Sequence, residues 1–163
     1  ALGRKGDVWL VGSAMGSGKF IDRLPREDRV TERVALAAYR SADISPENID
    51  LVELHDAFAI AELLYIEQLG LASPGTAWRH LLDGAYAREG KIAINPGGGL
   101  IGRGHPMGAT GVAQALEVTL QLRGQAGKRQ ISDARIGVTH TMGGNQFDLE
   151  SNACIVNVFV NEA

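Results

Sequence analysis

The sequence predicts an α/β fold, with a mixed five-stranded, mostly parallel sheet and helices on both of its faces. Short apolar runs typical of buried strands alternate with longer segments whose apolar residues recur at helical spacing. The 163 residues suffice for one domain around a single hydrophobic core. The 21 glycines cluster where predicted strands end, at 12–18, 97–111 and 143–144. Loops at strand ends are the usual place for a ligand site in such sheets.

The predicted elements follow one another in the order that a parallel sheet with crossover helices requires. Five strands are predicted, at 7–13, 49–54, 91–95, 134–139 and 154–160. Three helices separate the first four strands, at 26–42, 57–69 and 105–122. We expect Asp56 to cap the second helix and Pro106 to occupy the first turn of the third. The fifth strand follows a short loop, so it should be antiparallel and lie at one side of the sheet.

The helix predicted at 105–122 has an unusual composition. Its only formal charge before Arg123 is Glu117, and apolar residues lie on nearly every side. A helix that covers one face of a sheet normally keeps a polar stripe toward water. Either this helix is centrally covered within the chain, or the chain is half of a larger body.

The composition excludes several classes of function. The chain has 16 basic and 19 acidic residues and a net charge of −3, which gives no electrostatic reason to expect nucleic acid or an anionic membrane as a partner. No apolar run approaches the roughly 20 residues that span a bilayer, so we expect a soluble, cytoplasmic protein. The single cysteine, Cys154, excludes an internal disulfide and a metal site built on cysteine pairs. We expect no metal and no tightly bound cofactor.

Three of the four histidines lie at predicted strand ends. His55 follows the second strand, His105 follows the loop after the third, and His140 follows the fourth. Each alone is more typical of capping or packing, but the carboxyl ends of parallel strands meet at one edge, so together they predict a shared proton-transfer site. His80 has no such placement and should lie on the surface. Cys154 lies in an apolar strand and is typical of a buried thiol, so the chain offers bases without an evident nucleophile.

Three segments resemble, in chain order, the active-site loops of the C-terminal half of thiolases. They are the His-Asp-Ala-Phe run at 55–58, the Asn-Pro-Gly-Gly-Gly to Gly-His-Pro-Met-Gly-Ala-Thr-Gly run at 95–111, and the glycine loop at 140–144. The pattern is most similar to the sterol-carrier-protein-linked and archaeal branch. The resemblance runs from about residue 6 to 160. It implies that residues 1–163 form a thiolase-like C-terminal domain, whose partner half, bearing the nucleophilic cysteine, is absent from this chain.

The resemblance also implies an activity and partners. Thiolases are acyltransferases, here of the acetyl-CoA C-acyltransferase type, that make or cleave a carbon–carbon bond next to a coenzyme A thioester in lipid metabolism. The implied substrate is an acyl-CoA, and the isolated chain should be inactive. The intact enzyme is expected to be a homodimer, peroxisomal in a eukaryote, and accompanied in some relatives by a small oligonucleotide-fold protein. In this family the helix after the Gly-His-Pro loop packs between the two halves, which would explain its apolar surface.

The resemblance assigns roles to individual residues. His105 takes the position of the Gly-His-Pro histidine, which lowers the pKa of the nucleophilic cysteine and then donates to the thioester oxygen. His55 stands where most thiolases have an asparagine that holds an oxyanion-binding water. The expected loop and oxyanion residues are Asn95, Gly104, Thr141 and Gly143.

The chain departs from the family pattern at the second, acid–base cysteine. Thr141 and Ala57 occupy the two positions where relatives carry that thiol. Threonine is too weak an acid to replace it, so either His55 or His140 carries the proton or the reaction is not a normal thiolysis. Two further functions remain open: a retro-aldolase acting on a β-hydroxyacyl-CoA such as a steroid side chain, and a non-catalytic interaction subunit.

Overall fold

A computed structural model describes residues 6–18, 29–144 and 153–161, which include one mixed sheet. Its five strands are β1 (Val8–Gly16), β2 (Leu51–Glu53), β3 (Ala93–Ile94), β4 (Ile136–Gly143) and β5 (Ala153–Asn161), in the spatial order β1-β5-β4-β2-β3. Strand β2 pairs in parallel with β3 and β4, whereas β5 is antiparallel to both β1 and β4. All strands except β5 therefore run in one direction, which confirms the predicted mixed, mostly parallel sheet.

The position of β5 differs from the prediction. The strand is antiparallel as expected, but it lies between β1 and β4 and not at one side of the sheet. In this central position β5 pairs with β1 on one side and β4 on the other, and Cys154, Val156 and Val158 are fully buried on the face that α1 covers. Strand β1 takes the edge instead, where Leu10 and Met15 are exposed.

Helices cover both faces of the sheet, as predicted. On one face lie α1 (Val30–Ala42) and α2 (Ala59–Gln68), which form the larger core with β4 and β5. On the other face lies α5 (Thr110–Leu122), whose buried Val118 and Leu122 pack with Leu51 of β2. Gly137 of β4 makes this approach possible, since a Cβ there would meet Val118 Cγ1 at 2.6 Å.

Two short helices fall in segments that the sequence did not identify as helical. They are α3 (Ala77–Leu82), which carries the exposed His80, and α4 (Gly99–Arg103). Short helices give too few turns for a readable apolar period. Within the part of the chain that the structure describes, no helix has the length and apolarity needed to cross a membrane.

Three predicted boundaries are wrong for identifiable reasons. Helix α2 begins at Ala59 after Phe58, and Asp56 does not cap it because its carboxylate binds the backbone of α4 instead. Helix α5 begins at Thr110 and not at 105, because Gly108 adopts a φ of +84° that no helix allows. Strand β4 continues to Gly143, so His140 lies inside the strand rather than after it. The predicted start of α1 at 26–28 lies outside the described residues.

Candidate active site

The structure brings two of the three predicted histidines together. His55 follows β2 and His105 follows α4, and their ring centroids lie 4.9 Å apart with the rings nearly perpendicular. Both rings line one open cavity of about 850 Å³ at the carboxyl ends of β2 and β4. The two imidazoles therefore face the same ligand space, which is the arrangement that a pair of proton-transfer groups requires.

His55 is held neutral by its surroundings. It is 8% exposed, and burial lowers its pKa to about 4, with a further lowering from His105 that Asp56 opposes. Among the described residues nothing forms a hydrogen bond with its Nδ1. At neutral pH this imidazole is uncharged, and its Nδ1 is buried away from the cavity.

His105 is more exposed and is oriented by a hydroxyl. Its Nδ1 lies 2.8 Å from Thr110 Oγ1, and the Thr110 hydroxyl donates to the carbonyl of Pro106 at 3.3 Å. A hydroxyl whose proton is engaged in this way accepts the Nδ1–H of the ring, which favours the tautomer with a free electron pair on Nε2. Thr110 is buried at the first turn of α5 and was not identified from the sequence.

Two of the four predicted loop residues line the same cavity. Thr141 and Gly143 of β4 form part of its wall, alongside the apolar side chains of Phe58, Met107 and Ile155. The Thr141 hydroxyl donates to Gln114 Oε1 at 2.6 Å, and Gln114 Nε2 donates in turn to the carbonyl of His140 at 3.1 Å. Because its proton is directed away from the cavity, Thr141 can only accept hydrogen bonds from a ligand.

His140 is not brought to the cavity wall. Successive side chains of a strand point to opposite faces, so Thr141 faces α5 whereas His140 faces α1 and α2. Its ring is fully buried, with Nε2 3.0 Å from Thr31 Oγ1 and its centroid 4.6 Å from that of Tyr65. Burial lowers the pKa of His140 to about 3, and His55 lowers it further. Tyr65 lines the cavity, so His140 can reach a ligand only indirectly.

The remaining predicted loop residues, Asn95 and Gly104, shape the backbone and do not line the cavity. Asn95 has a φ of +49° and its Oδ1 accepts the N–H of Leu54 at 2.7 Å, while its own N–H donates to Val52. Gly104 ends α4 with a φ of +88°. Both residues fix the path of the segment that leads to His105.

Carboxylates at the end of β2 hold that same segment and were not identified as site residues. Asp56 Oδ1 accepts the N–H of Leu100 at 2.6 Å, which caps α4 from across the sheet. Glu53 Oε1 accepts the N–H of Gly97 at 2.7 Å. The run 49–54 carries two charged residues, Asp50 at its start and Glu53 inside it, and the inner one is the signal that could have revealed Glu53, because a strand buried on both faces seldom carries a charge.

Cys154 has the environment that the sequence predicted. It is fully buried in β5, its Sγ lies 3.8 Å from Thr31 Oγ1, and it does not line the cavity. The structure describes no group of three or more His, Cys, Asp or Glu side chains placed to hold a metal ion, within residues 6–18, 29–144 and 153–161.

The structure is an α/β domain in which two imidazoles line one cavity at the strand ends. Residues 25–154 match the family described as thiolase C-terminal domain-like, and the chain belongs to this family. The resemblance noted from the three loops is thereby confirmed.

The relatives include the expected branches. An acetyl-CoA acetyltransferase of Methanothermobacter thermautotrophicus is 48% identical over 84% of this chain. The benzoylsuccinyl-CoA thiolase subunit BbsB of Thauera aromatica is 42% identical over 88% of it, and human sterol carrier protein 2 is 44% identical over 70%. The matched regions span only 37%, 38% and 21% of these relatives, respectively, so all three are much longer proteins.

A solved structure shares the fold at low sequence identity. The structure titled Ltp2-ChsH2(DUF35) aldolase superposes with a TM-score of 0.79 at 20% identity, covering 96% of this chain and 40% of that chain. This likeness shows that the architecture is thiolase-like.

Proposed function

We propose that this chain is the C-terminal catalytic domain of a thiolase-like acyltransferase that makes or cleaves a carbon–carbon bond next to a coenzyme A thioester. The observation that carries the proposal is the pair His55 and His105, which face one cavity with ring centroids 4.9 Å apart. The relatives named as an acetyltransferase and a thiolase subunit support the same reaction class. The substrate is an acyl-CoA, and no tightly bound cofactor is required.

In this proposal His105 activates the nucleophile. Its Nε2 takes the proton of a cysteine thiol, giving a thiolate and an imidazolium, while Thr110 holds Nδ1. The thiolate attacks the thioester carbonyl, and the imidazolium donates a hydrogen bond to the oxygen on which negative charge develops. The cysteine comes from a second domain, since the one thiol of this chain is buried in β5.

His55 is the proposed acid–base group of the second step. Thr141 occupies the position of the family's second cysteine, but its proton is committed to Gln114. His140 lies behind Tyr65 and has a strongly lowered pKa, so it supports the site from the core. His55 faces the cavity and is neutral near pH 7, so in this proposal it receives the proton of the incoming thiol or carbon acid. Because its pKa is lowered to about 4, it is a weak base and returns that proton readily.

The outward face of α5 supports a second domain. Val112 is 71% exposed and Leu116 58% exposed, whereas Gln114, Glu117 and Gln121 are buried toward the sheet. A helix that exposes large apolar side chains on its outward face, while Val118 and Leu122 are buried on its inward face, is suited to contact protein on both sides. We propose that the nucleophile-bearing half covers this face, and that the resulting enzyme forms the homodimer that the family resemblance implies.

The decisive experiment assays thiolysis of a 3-ketoacyl-CoA by the protein that unites this chain with the nucleophile-bearing half. We expect turnover there and none from residues 1–163 alone, because the attacking thiol is missing. In the joined enzyme, His105→Ala should lower kcat by about 10²–10⁴, the usual contribution of a positioned acid–base group. Turnover by the 163-residue chain, or an unchanged kcat in His105→Ala, contradicts the proposal.

A retro-aldolase is the second candidate, favoured by the absence of a thiol at both Ala57 and Thr141. An aldolase breaks the carbon–carbon bond of a β-hydroxyacyl-CoA without acyl transfer to free coenzyme A. Incubation of the joined enzyme with a β-hydroxyacyl-CoA in the absence of free coenzyme A separates the two reactions. Release of an aldehyde or ketone under those conditions identifies the aldolase and excludes the thiolase.

A further inference from the structure

Glu53 is a buried carboxylate without a full set of partners. It lies at the end of β2, its side chain is 0% exposed, and one oxygen accepts the N–H of Gly97 at 2.7 Å. The other oxygen lies 3.5 Å from Arg103 Nη2, and neither of these two atoms has a hydrogen-bond partner among the described residues. Burying a charge in this way costs free energy, so its presence calls for a reason other than stability.

The two groups that face Glu53 stand at the two ends of one short segment. Gly97 opens the turn before α4, and Arg103 is the last residue of α4, two positions before His105. The contact is close, because a Cβ on Gly97 would meet Glu53 Oε1 at 2.8 Å. Asp56 holds the middle of the segment through the N–H of Leu100. Glu53 and Asp56, at and just after the end of β2, therefore contact the start, the middle and the end of the segment 97–103 that precedes His105.

We propose that Glu53 is a positioning residue: its carboxylate fixes residues 97–103 through Gly97 and Arg103 and so places the His105 ring at the cavity. The inference rests on the proposed function for its kinetic readout only. The hydrogen bonds and the ion contact that carry it do not depend on the reaction.

The charges around Glu53 predict an unusual effect on stability. The pKa of Glu53 is raised to about 7, chiefly by burial and also by Glu117 of α5 and by Asp56, while the Gly97 N–H and Arg103 of α4 oppose the rise. Arg129 forms its ion pair with Glu117 and not with Glu53. A carboxylate whose folded-state pKa is raised favours the folded state below its ordinary pKa of 4.5; this contribution is lost as the pH rises from there to about 7 and stays lost above 7. Glu53 should therefore destabilise the fold at pH 8.

Glu53→Gln separates positioning from structural support. Glutamine keeps an acceptor for Gly97 but presents an uncharged group to Arg103 and removes the cost of a buried charge. We expect a melting temperature at pH 8 equal to or above that of the wild type, and an advantage that shrinks at pH 5.5. We also expect kcat to fall about tenfold or more with little change in KM, because a displaced catalytic group loses rate steeply.

The test combines hydrogen exchange with steady-state kinetics, both measured on the joined enzyme. Amide exchange of residues 97–104, followed by mass spectrometry, should accelerate at least about tenfold in Glu53→Gln while the exchange of β4 and β5 is unchanged. Arg103→Leu should likewise accelerate exchange at residues 97–104 and lower kcat. Arg103→Lys keeps the charge, so its exchange rate and kcat should both be close to those of the wild type. Glu89→Gln is the matched control, since that carboxylate is 71% exposed and remote from the site.

The outcomes are distinguishable from those of the proposed function. Faster exchange at 97–104 with a preserved melting temperature supports positioning whatever reaction the protein catalyses. If Glu53→Gln lowers both the melting temperature at pH 8 and the activity, Glu53 has a structural role and the proposal is overturned. If Glu53→Gln changes neither the exchange of residues 97–104 nor kcat, the proposal is overturned outright. If the wild-type joined enzyme shows no thiolase turnover, the proposed function is contradicted, but the exchange of residues 97–104 still tests the positioning role of Glu53.

Discussion

At the scale of single residues, two histidines of one cavity differ because their surroundings differ. His55 is buried, and desolvation lowers its pKa to about 4, whereas His105 is exposed and has a hydroxyl partner at Nδ1. Desolvation keeps one ring neutral, and the hydrogen bond selects the tautomer of the other. At pH 7 the His55 ring is therefore neutral, and the His105 ring beside it is oriented by Thr110.

The tautomer of His105 provides a prediction. Thr110→Val keeps the shape of the side chain but removes the hydroxyl that lies 2.8 Å from Nδ1. We expect kcat of the joined enzyme to fall about fivefold, since a lost hydrogen bond of about 1 kcal/mol corresponds to roughly that factor. Steady-state kinetics check it. Thr110→Ser retains the hydroxyl and should keep wild-type kcat; equal losses in the two variants would show that the methyl group, not the hydroxyl, is what His105 needs.

At the scale of elements, α4 depends on a capping carboxylate that is distant in sequence. Leu100 donates its backbone N–H to Asp56, 44 positions earlier in the chain. A five-residue helix is too short to be stable alone, so α4 exists because β2 supplies its cap. Glycine at position 99 allows this contact, because a Cβ there would overlap the Asp56 carboxylate and because its φ is +57°.

The close contact at Gly99 predicts opposite effects of two neighbouring substitutions. Gly99→Ala should lower the free energy of unfolding by roughly 1–3 kcal/mol, the cost of strained backbone together with a displaced cap. Gly102→Ala should be neutral or stabilising by up to about 1 kcal/mol, since Gly102 has open space around its Cα and lies within α4. Urea unfolding of both variants tests this. A loss in Gly102→Ala as large as that in Gly99→Ala would contradict it.

At the scale of the whole molecule, the buried histidines make folding sensitive to acid. Burial lowers the pKa of His140 to about 3 and that of His55 to about 4, both below the value near 6.5 expected in the unfolded chain. The unfolded state therefore binds more protons between these values. The contribution of the two histidines to stability is fully present above about pH 6.5 and is lost progressively as the pH falls from there toward 3.

The contribution of His140 to this acid sensitivity can be isolated. His140→Gln should reduce the loss of unfolding free energy between pH 6.5 and 5 by up to about 2 kcal/mol, because 1.5 pH units of differential protonation disappear. The measurement is denaturant unfolding at the two pH values. His80→Gln, at an exposed position on α3, should retain the wild-type loss. An identical pH dependence in His140→Gln and the wild type would show that this ring does not titrate on unfolding.

The sequence predicted the architecture well because strand and helix patterns are local. The five strands, the three longer helices and the strand-end positions of His55 and His105 followed from periodicity and glycine clusters. The order of strands did not, because the sheet position of β5 depends on which surfaces bury its apolar side chains. The sequence also did not predict the short helices α3 and α4, because helices of six and five residues have too few turns to show an apolar period.

By itself, the sequence determined the fold class and the family loops, because each depends on residues close together in the chain. It also placed His55 and His105 at one edge of the sheet, because the carboxyl ends of parallel strands meet there. Only the tertiary structure decided that His140 faces the core, that Asp56 caps α4 and that Glu53 contacts Gly97 and Arg103. The contacts of Asp56 and Glu53 join segments that are distant in the sequence. The direction of His140 depends on where β4 ends, because side chains alternate between the two faces of a strand. Desolvation, which sets the protonation of His55 and Glu53, likewise arises only when the distant segments pack together.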